Sequence, residues 1–353
     1  MRQRRFGRLG LGLSTAVLGL FLAVTPTLAC GGLIGPNGAV NLLRTTTLAG
    51  YHDGVEHYVT AFQFAGGGGA FGSITPLPGI PTSVVKGGDW TLQRLIRETN
   101  PPVPAAFAAE SAVRLGAVEL MNVKIDALDL TVLKGGSADI GAWAKDHGFR
   151  LPPDAPEVLD FYAQRSQIFL AAAFDANAAK IRGQQLGDGT PVHITIPTDR
   201  PWVPLRILTL GKAGGEPIQA DVYLLTDRAP ALLPVPTGDN GIRLDHSDVA
   251  SASLLNDLHS DRGMDWVPSS GWLTKVAVDG TAAQLGFDLA IDPSGAGRPS
   301  AVDAGFTMPG AVVPTAPVDL SRLLLALGFV GVGLIGLTLI ARARPSVGRP
   351  IGW

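Results

Sequence analysis

Hydrophobic positions are distributed unevenly along the chain, and the longest unbroken run lies near its C-terminus. From Leu323 to Ala341 nineteen residues pass without a charge. A core helix of that length keeps a polar face. An apolar one spans ~28 Å at ~1.5 Å per residue, about the hydrocarbon thickness of a bilayer. Residues 323–341 are therefore expected to form a transmembrane helix. A shorter apolar run, Leu9 to Val24, follows Arg2, Arg4, Arg5 and Arg8 and precedes Pro26-Thr27-Leu28-Ala29. That order predicts a signal peptide over residues 1–29, cut between Ala29 and Cys30.

Between these runs the pattern is mostly short and β-like. Val40 to Leu48 and Glu56 to Phe64 flank Asp53-Gly54, which predicts a hairpin. The Gly/Pro-rich stretch from Gly66 to Pro81 reads as a loop. Asp89 is placed as the cap of a helix from Trp90 to Thr99, stopped by Asn100-Pro101. Strand is expected from Val118 to Leu133, then a helix from Ser137 with Gly148 just past its end. Asp154 and Glu157 open a second helix reaching Arg165. Further strands are read at 167–174, 192–196, 203–210 and 219–226, and a last helix from Val249 to Arg262, closed by Gly263. The fold class expected for residues 30–291 is α+β, mainly antiparallel β with a few short helices. Residues 292–318, rich in Pro, Gly, Ala and Ser, read as a stalk spanning ~30 Å as a coil.

Charge sharpens the topology. Arg342, Arg344 and Arg349 follow the apolar span, so residues 342–353 form a basic tail expected in the cytoplasm, with the N-terminal domain outside. Seven of the 28 basic residues lie in the two arginine-rich ends, where there is no acid; the region between therefore carries nine more acids than bases. Such a surface repels phosphate backbones and argues against a nucleic-acid partner. Cys30 is the sole cysteine, which excludes an internal disulfide and multi-thiolate zinc sites. Its place after the cut is that of a lipidated cysteine; the alternative is an unpaired thiol.

Several segments resemble a family of secreted bacterial proteins known as domain of unknown function 2330. They are Ala29-Cys30-Gly31-Gly32, then Phe71-Gly72-Ser73-Ile74-Thr75-Pro76-Leu77-Pro78-Gly79-Ile80-Pro81, and most clearly Ile140 to Pro152 with Leu159, Tyr162 and Phe169. Trp202 to Arg206 and Trp272 to Lys275 add to the resemblance, which spans Cys30 to Ile291. It implies an extracytoplasmic bacterial setting and brings no activity, ligand or catalytic residue.

Candidate chemistry is sparse. Gly67-Gly68-Gly69-Ala70-Phe71-Gly72 matches G-x-G-x-x-G, but Pro76, Pro78 and Pro81 stand where the phosphate-binding helix would grow. His52 and His57 flank the hairpin turn, and their odd spacing reads as opposite faces. Asp257-Leu258-His259-Ser260-Asp261 on a helix turns His259 ~200° from Asp257. Asp245-His246-Ser247-Asp248 contains capping residues for the helix expected at Val249. Trp143, Trp202, Trp266 and Trp272 suit either a core or a glycan platform. No catalytic, cofactor or metal residue is assigned. The expected function is a membrane-anchored binding or structural module of the cell envelope, with Phe71 and Ile74 the contact residues and another envelope protein or wall component the partner. The alternative is an envelope hydrolase or carbohydrate-modifying enzyme whose carboxylates meet only in the fold.

Overall fold

The computed structural model describes residues 27–28, 32–36, 38–39, 44–63, 71–100, 119–181 and 189–306. All belong to the first of two units, Met1–Ala311; the second is Val312–Trp353. The chain opens with β1 (Thr27–Leu28), β2 (Gly32–Gly35), β3 (Gly38–Ala39), β4 (Arg44–His52), β5 (Val55–Gln63), β6 (Phe71–Leu77) and β7 (Ser83–Lys86). Then come α1 (Thr91–Thr99), β8 (Glu119–Ile125), β9 (Leu128–Lys134), α2 (Ser137–Asp146), α3 (Ala155–Ala163), β10 (Ile168–Phe174) and α4 (Ala176–Ile181). Next are β11 (Gly189–Pro197), β12 (Trp202–Val203), a 3-10 turn (Arg206–Thr209), β13 (Pro217–Thr226) and β14 (Ala231–Leu233). The last elements are β15 (Ile242–Val249), α5 (Ala252–Ser260), β16 (Trp272–Thr281) and β17 (Leu289–Asp292).

The larger sheet has the order β15-β16-β13-β4-β5-β11-β7, with β1 beside β4; the second runs β3-β2-β6-β10-β9-β8, and β12-β17-β14 form a third. Pairing is antiparallel except where β4 meets β13 and β1. The expectation of a mainly antiparallel domain with short helices therefore holds. Tyr58, Ile194, Val222 and Val276 on one face of the larger sheet join Leu33, Phe71, Leu130 and Leu170 of the second sheet in a single apolar cluster. On the opposite face of the larger sheet Leu48, Val59 and Tyr223 pack beneath Leu92 and Leu95 of α1 and Leu254 and Leu258 of α5. α3 sits against the second sheet, where Tyr162 meets Phe169 edge-on.

The hairpin forms as expected. Asp53 and Gly54 have φ of 49° and 78°, the left-handed pair that matches strand twist in a two-residue turn. The Gly66–Pro81 loop is corrected over Phe71–Leu77, which is the fully buried strand β6. Pro76 is tolerated because β2 pairs only with residues 72–74, leaving Pro76 opposite β10 alone. The strand expected at 118–133 is a hairpin, turned by Asp126 at φ 59°. The strand expected at 203–210 is β12 and the 3-10 turn, whose backbone N–H groups at Leu205 and Arg206 donate to Asp288. Asp89 does not cap α1. Asp261 accepts from the Trp90 N–H at 3.0 Å and the Thr91 hydroxyl at 2.7 Å, and Asp89 pairs with Arg262. The last helix starts later than expected because Asp245 to Asp248 lie on β15, and its cap is Ser251, which accepts from the Leu254 N–H.

Residues 292–306, assigned by composition to the stalk, are held against the domain: Ala304 is buried, its carbonyl accepts from the Asp288 N–H, and Phe306 meets Phe287. Small residues there pack closely, so composition misled. Among the described residues no helix is long and apolar enough to cross a membrane. The expected span Leu323–Ala341, the basic tail, most of the signal peptide, Ala29 and Cys30, and Gly67–Ala70 of the glycine motif lie outside the described residues.

Candidate functional site

β5, β11 and the loop after α5 bring two histidines and a tryptophan together on the helix-bearing face of the larger sheet. His57 is opposite Gly50 on β4 and Thr195 on β11; His193 lies two residues from Thr195 and so shares its face. His57 Nδ1 and His193 Nε2 are 2.9 Å apart. The Trp266 indole lies flat on the His57 ring, with centroids 4.0 Å apart and planes 5° apart. Gly50 makes room for it, since a Cβ there would come within 2.1 Å of an indole carbon. Gly87 does the same for His193, where an added Cβ would sit 2.9 Å from the histidine Cβ.

Burial is the main force on both rings. It lowers His57 to about 3, assisted by His193 and His52 and opposed by Asp265. It lowers His193 to about 4 against the pull of Asp265 and the Gly263 backbone. Both are neutral at pH 7, and one hydrogen bond joins them. If His193 donates to the Gly263 backbone through Nδ1, its Nε2 carries a lone pair and His57 Nδ1 is the donor. The hydrogen bond between the rings then runs from His57 Nδ1 to His193 Nε2, with Trp266 covering the His57 ring. Among the described residues no three histidine, cysteine, aspartate or glutamate side chains are arranged to hold a metal ion.

His52 and His57 prove to share a face, correcting the parity argument. Across a two-residue turn the directly opposed residues differ by an odd number, as Gly50 with His57 and His52 with Val55 show. They still hydrogen-bond separately, because His52 Nδ1 meets Asp227 at 2.8 Å. The Asp257-His259-Asp261 trio also disperses: Asp257 pairs with Arg94, His259 with the Val267 carbonyl, and Asp261 with the start of α1. Phe71 and Ile74 are buried, Phe71 stacked on Phe174 at 4.8 Å, so their side chains belong to the core. Trp143 and Trp202 are core residues too, whereas Trp272 is half-buried and donates to Ser247.

Three features escaped the sequence reading. His193 stands 136 positions from His57, beyond any local motif. Glu56, the neighbour of His57 on the other face, is fully buried, and desolvation raises its carboxyl to about 8 against the Trp202 backbone. Asp288, also buried, accepts from Tyr162 Oη at 2.8 Å and the Leu205 and Arg206 N–H groups at 2.7 and 2.9 Å, and is paired with Arg165. The Arg165 guanidinium lies 4.1 Å from the Phe161 ring and 4.9 Å from that of Trp202. An open groove of about 440 Å³ adjoins α2, edged by Lys145 and Arg150.

Residues 24–231 match the family described as an uncharacterized protein conserved in bacteria, DUF2330. The chain belongs to this family. The matched part of this DUF2330 protein contains His57, His193 and Glu56, whereas Trp266 and Asp288 lie beyond it. No curated protein matches the chain. Among solved structures, baculovirus P35 is similar at 9% identity and a TM-score of 0.36, over 70% of this chain and 96% of that one. A mutated baculovirus P35 after caspase cleavage gives 8% identity and a TM-score of 0.38, over 70% and 99%.

Proposed function

We propose that this DUF2330 protein is an exported module, tethered to the membrane by residues 323–341, that binds another component of the bacterial envelope. The observation that carries the binding reading is the open edge of the larger sheet. β15 ends the strand order, and Leu244 and Val249 on it are 46% and 65% exposed. They pair with Val276 and Trp272, so they extend an apolar face of the sheet to its rim. Thr237 and Gly238 bridge the start of β15 at Arg243 and Ile242, and beyond them no described strand covers this edge. Such an edge with exposed apolar side chains suits β-strand addition or a flat protein contact. The arginine-rich ends and the apolar span support export and anchoring.

The test is a photo-reactive residue placed at Val249 in the living bacterium, with Ile181, 86% exposed, as the control position. One discrete adduct from Val249 and none from Ile181 is expected. Equal, diffuse adducts from both would overturn the assignment of this edge. Envelope hydrolysis is the second reading, favoured by the neutral His57–His193 pair. It requires that purified protein degrade a wall polymer and that His57→Ala abolish the degradation.

A further inference from the structure

Lys275 of β16 and Asp221 of β13 lie on the helix-bearing face of the larger sheet, where Lys275 is directly opposite Tyr223 and Asp221 is one step diagonal. Lys275 Nζ is 3.3 Å from Asp221 Oδ1, and the two side chains are 4% and 7% exposed. A second carboxylate, Asp245 Oδ2 from β15, stands 3.7 Å from the same nitrogen, and Arg243 holds its other oxygen at 2.7 Å. The Tyr223 ring lies 5.9 Å from Nζ. Among the described residues one other ion pair is buried to this degree, Arg165 with Asp288. The delocalised guanidinium of that pair is no nucleophile, whereas a lysine amine is one once it has lost its proton.

Burial makes the charged pair costly to hold. An ammonium and a carboxylate removed from water suffer a desolvation penalty that their attraction offsets only in part. Passing one proton from Nζ to Oδ converts them into an amine and a carboxylic acid, the pair of groups that can react with each other. The amine then stands within hydrogen-bonding distance of an electrophilic carboxyl group, held there by two paired strands, so little orientational freedom remains to be lost.

We propose that Lys275 and Asp221 condense into an intramolecular amide, with Asp245 as the proton carrier. Nζ attacks Cγ of the protonated Asp221, forming the C–N bond. Asp245 takes a proton from the attacking nitrogen and delivers it to the departing hydroxyl. The C–OH bond breaks and one water leaves. The ammonium and carboxylate together become one amide and one water, with no change in charge, no redox partner and no outside reagent. The product links β13 to β16 covalently in a chain whose single cysteine excludes an internal disulfide. By closing a long loop it would restrict the unfolded chain as a disulfide does.

Trypsin decides the matter on the full-length protein, purified and then denatured. An unlinked chain is cut after Lys275, and its segment 213–228 is released alone. The linked chain resists cleavage at Lys275 and yields a branched peptide joining 213–228 to the segment that begins at 263, lighter by one water than the two together. Complete cleavage after Lys275 in the wild-type protein would overturn the proposal, whatever the variants do. Asp221→Asn should give the same amide by losing ammonia, whereas Asp221→Ala and Lys275→Arg should give linear peptides only. In Asp245→Ala the branched product should build up at least tenfold more slowly after synthesis; an unchanged rate would remove Asp245 from the reaction.

Discussion

The buried groups around Asp288 and the histidine pair of the larger sheet are built on opposite plans. Around Asp288 the bonding is dense: a guanidinium, a phenol and two backbone N–H groups converge on one carboxylate, with aromatic rings against Arg165. Around His57 and His193 a single hydrogen bond joins two neutral rings under one indole. The first cluster ties α3, the 3-10 turn and the approach to β17 into one unit. The second fixes less, and burial holds both of its rings neutral. Dense bonding marks a structural tie, whereas a sparsely bonded neutral pair beneath a removable ring marks a place where chemistry or recognition has room to occur.

The largest effect should come from breaking the dense cluster. Asp288→Ala leaves Arg165 buried without its counter-charge, and urea unfolding should show a loss of about 3–5 kcal/mol. A loss below about 1 kcal/mol would mean that water already satisfies these groups.

pH separates the histidines from their buried neighbour Glu56. Glu56 titrates at about 8 in the folded protein against an ordinary value of 4.5, so its contribution is complete below pH 4.5 and is lost as pH rises through about 8. The histidines act in the opposite sense: their contribution is complete above 6.5 and is lost as pH falls through about 4 and then about 3. Together the three groups place maximal stability near pH 6.5. Glu56→Gln should remove the alkaline fall, worth a few kcal/mol at about 1.4 kcal/mol per unit. Melting curves from pH 5 to 9 measure it, and an unchanged alkaline arm in that variant would reject the assignment.

The smallest effect is the most local. Gly50→Ala pushes a methyl group into Trp266, at a cost of about 1–3 kcal/mol if the indole stays and less if it swings away. Swinging away would expose the histidines, and their NMR titrations should then move upward toward 6.5. Unmoved titrations would show that Trp266 does not set their environment.

How much of this was legible follows from range. The Asp53-Gly54 turn was readable because its chemistry is local, and so were α2 and the glycine after it. β6 was hidden because Gly72, Pro76 and their neighbours look like a loop until β10 pairs with them. The cap of α1 was misread because Asp261, from the far end of another helix, supplies it. The histidine pair was invisible for the same reason: His193 acquires meaning only when β11 lies beside β5. The 292–306 segment shows that a composition suited to a linker also suits close packing.

The parallel pairing of β4 with β13 carries a consequence for the order of synthesis. The flank of β4 that β13 covers, from Arg44 to Tyr51, stays unpaired until the chain has been made through Thr226. The hairpin of β4 and β5 is therefore complete long before its neighbour exists, presenting a β-branched edge until β13 has been made. Such delayed long-range pairing slows folding and leaves an adhesive strand open to other chains. A nascent chain of this design gains from being kept extended until its C-terminal half arrives, and a truncation before Pro217 should aggregate through that hairpin.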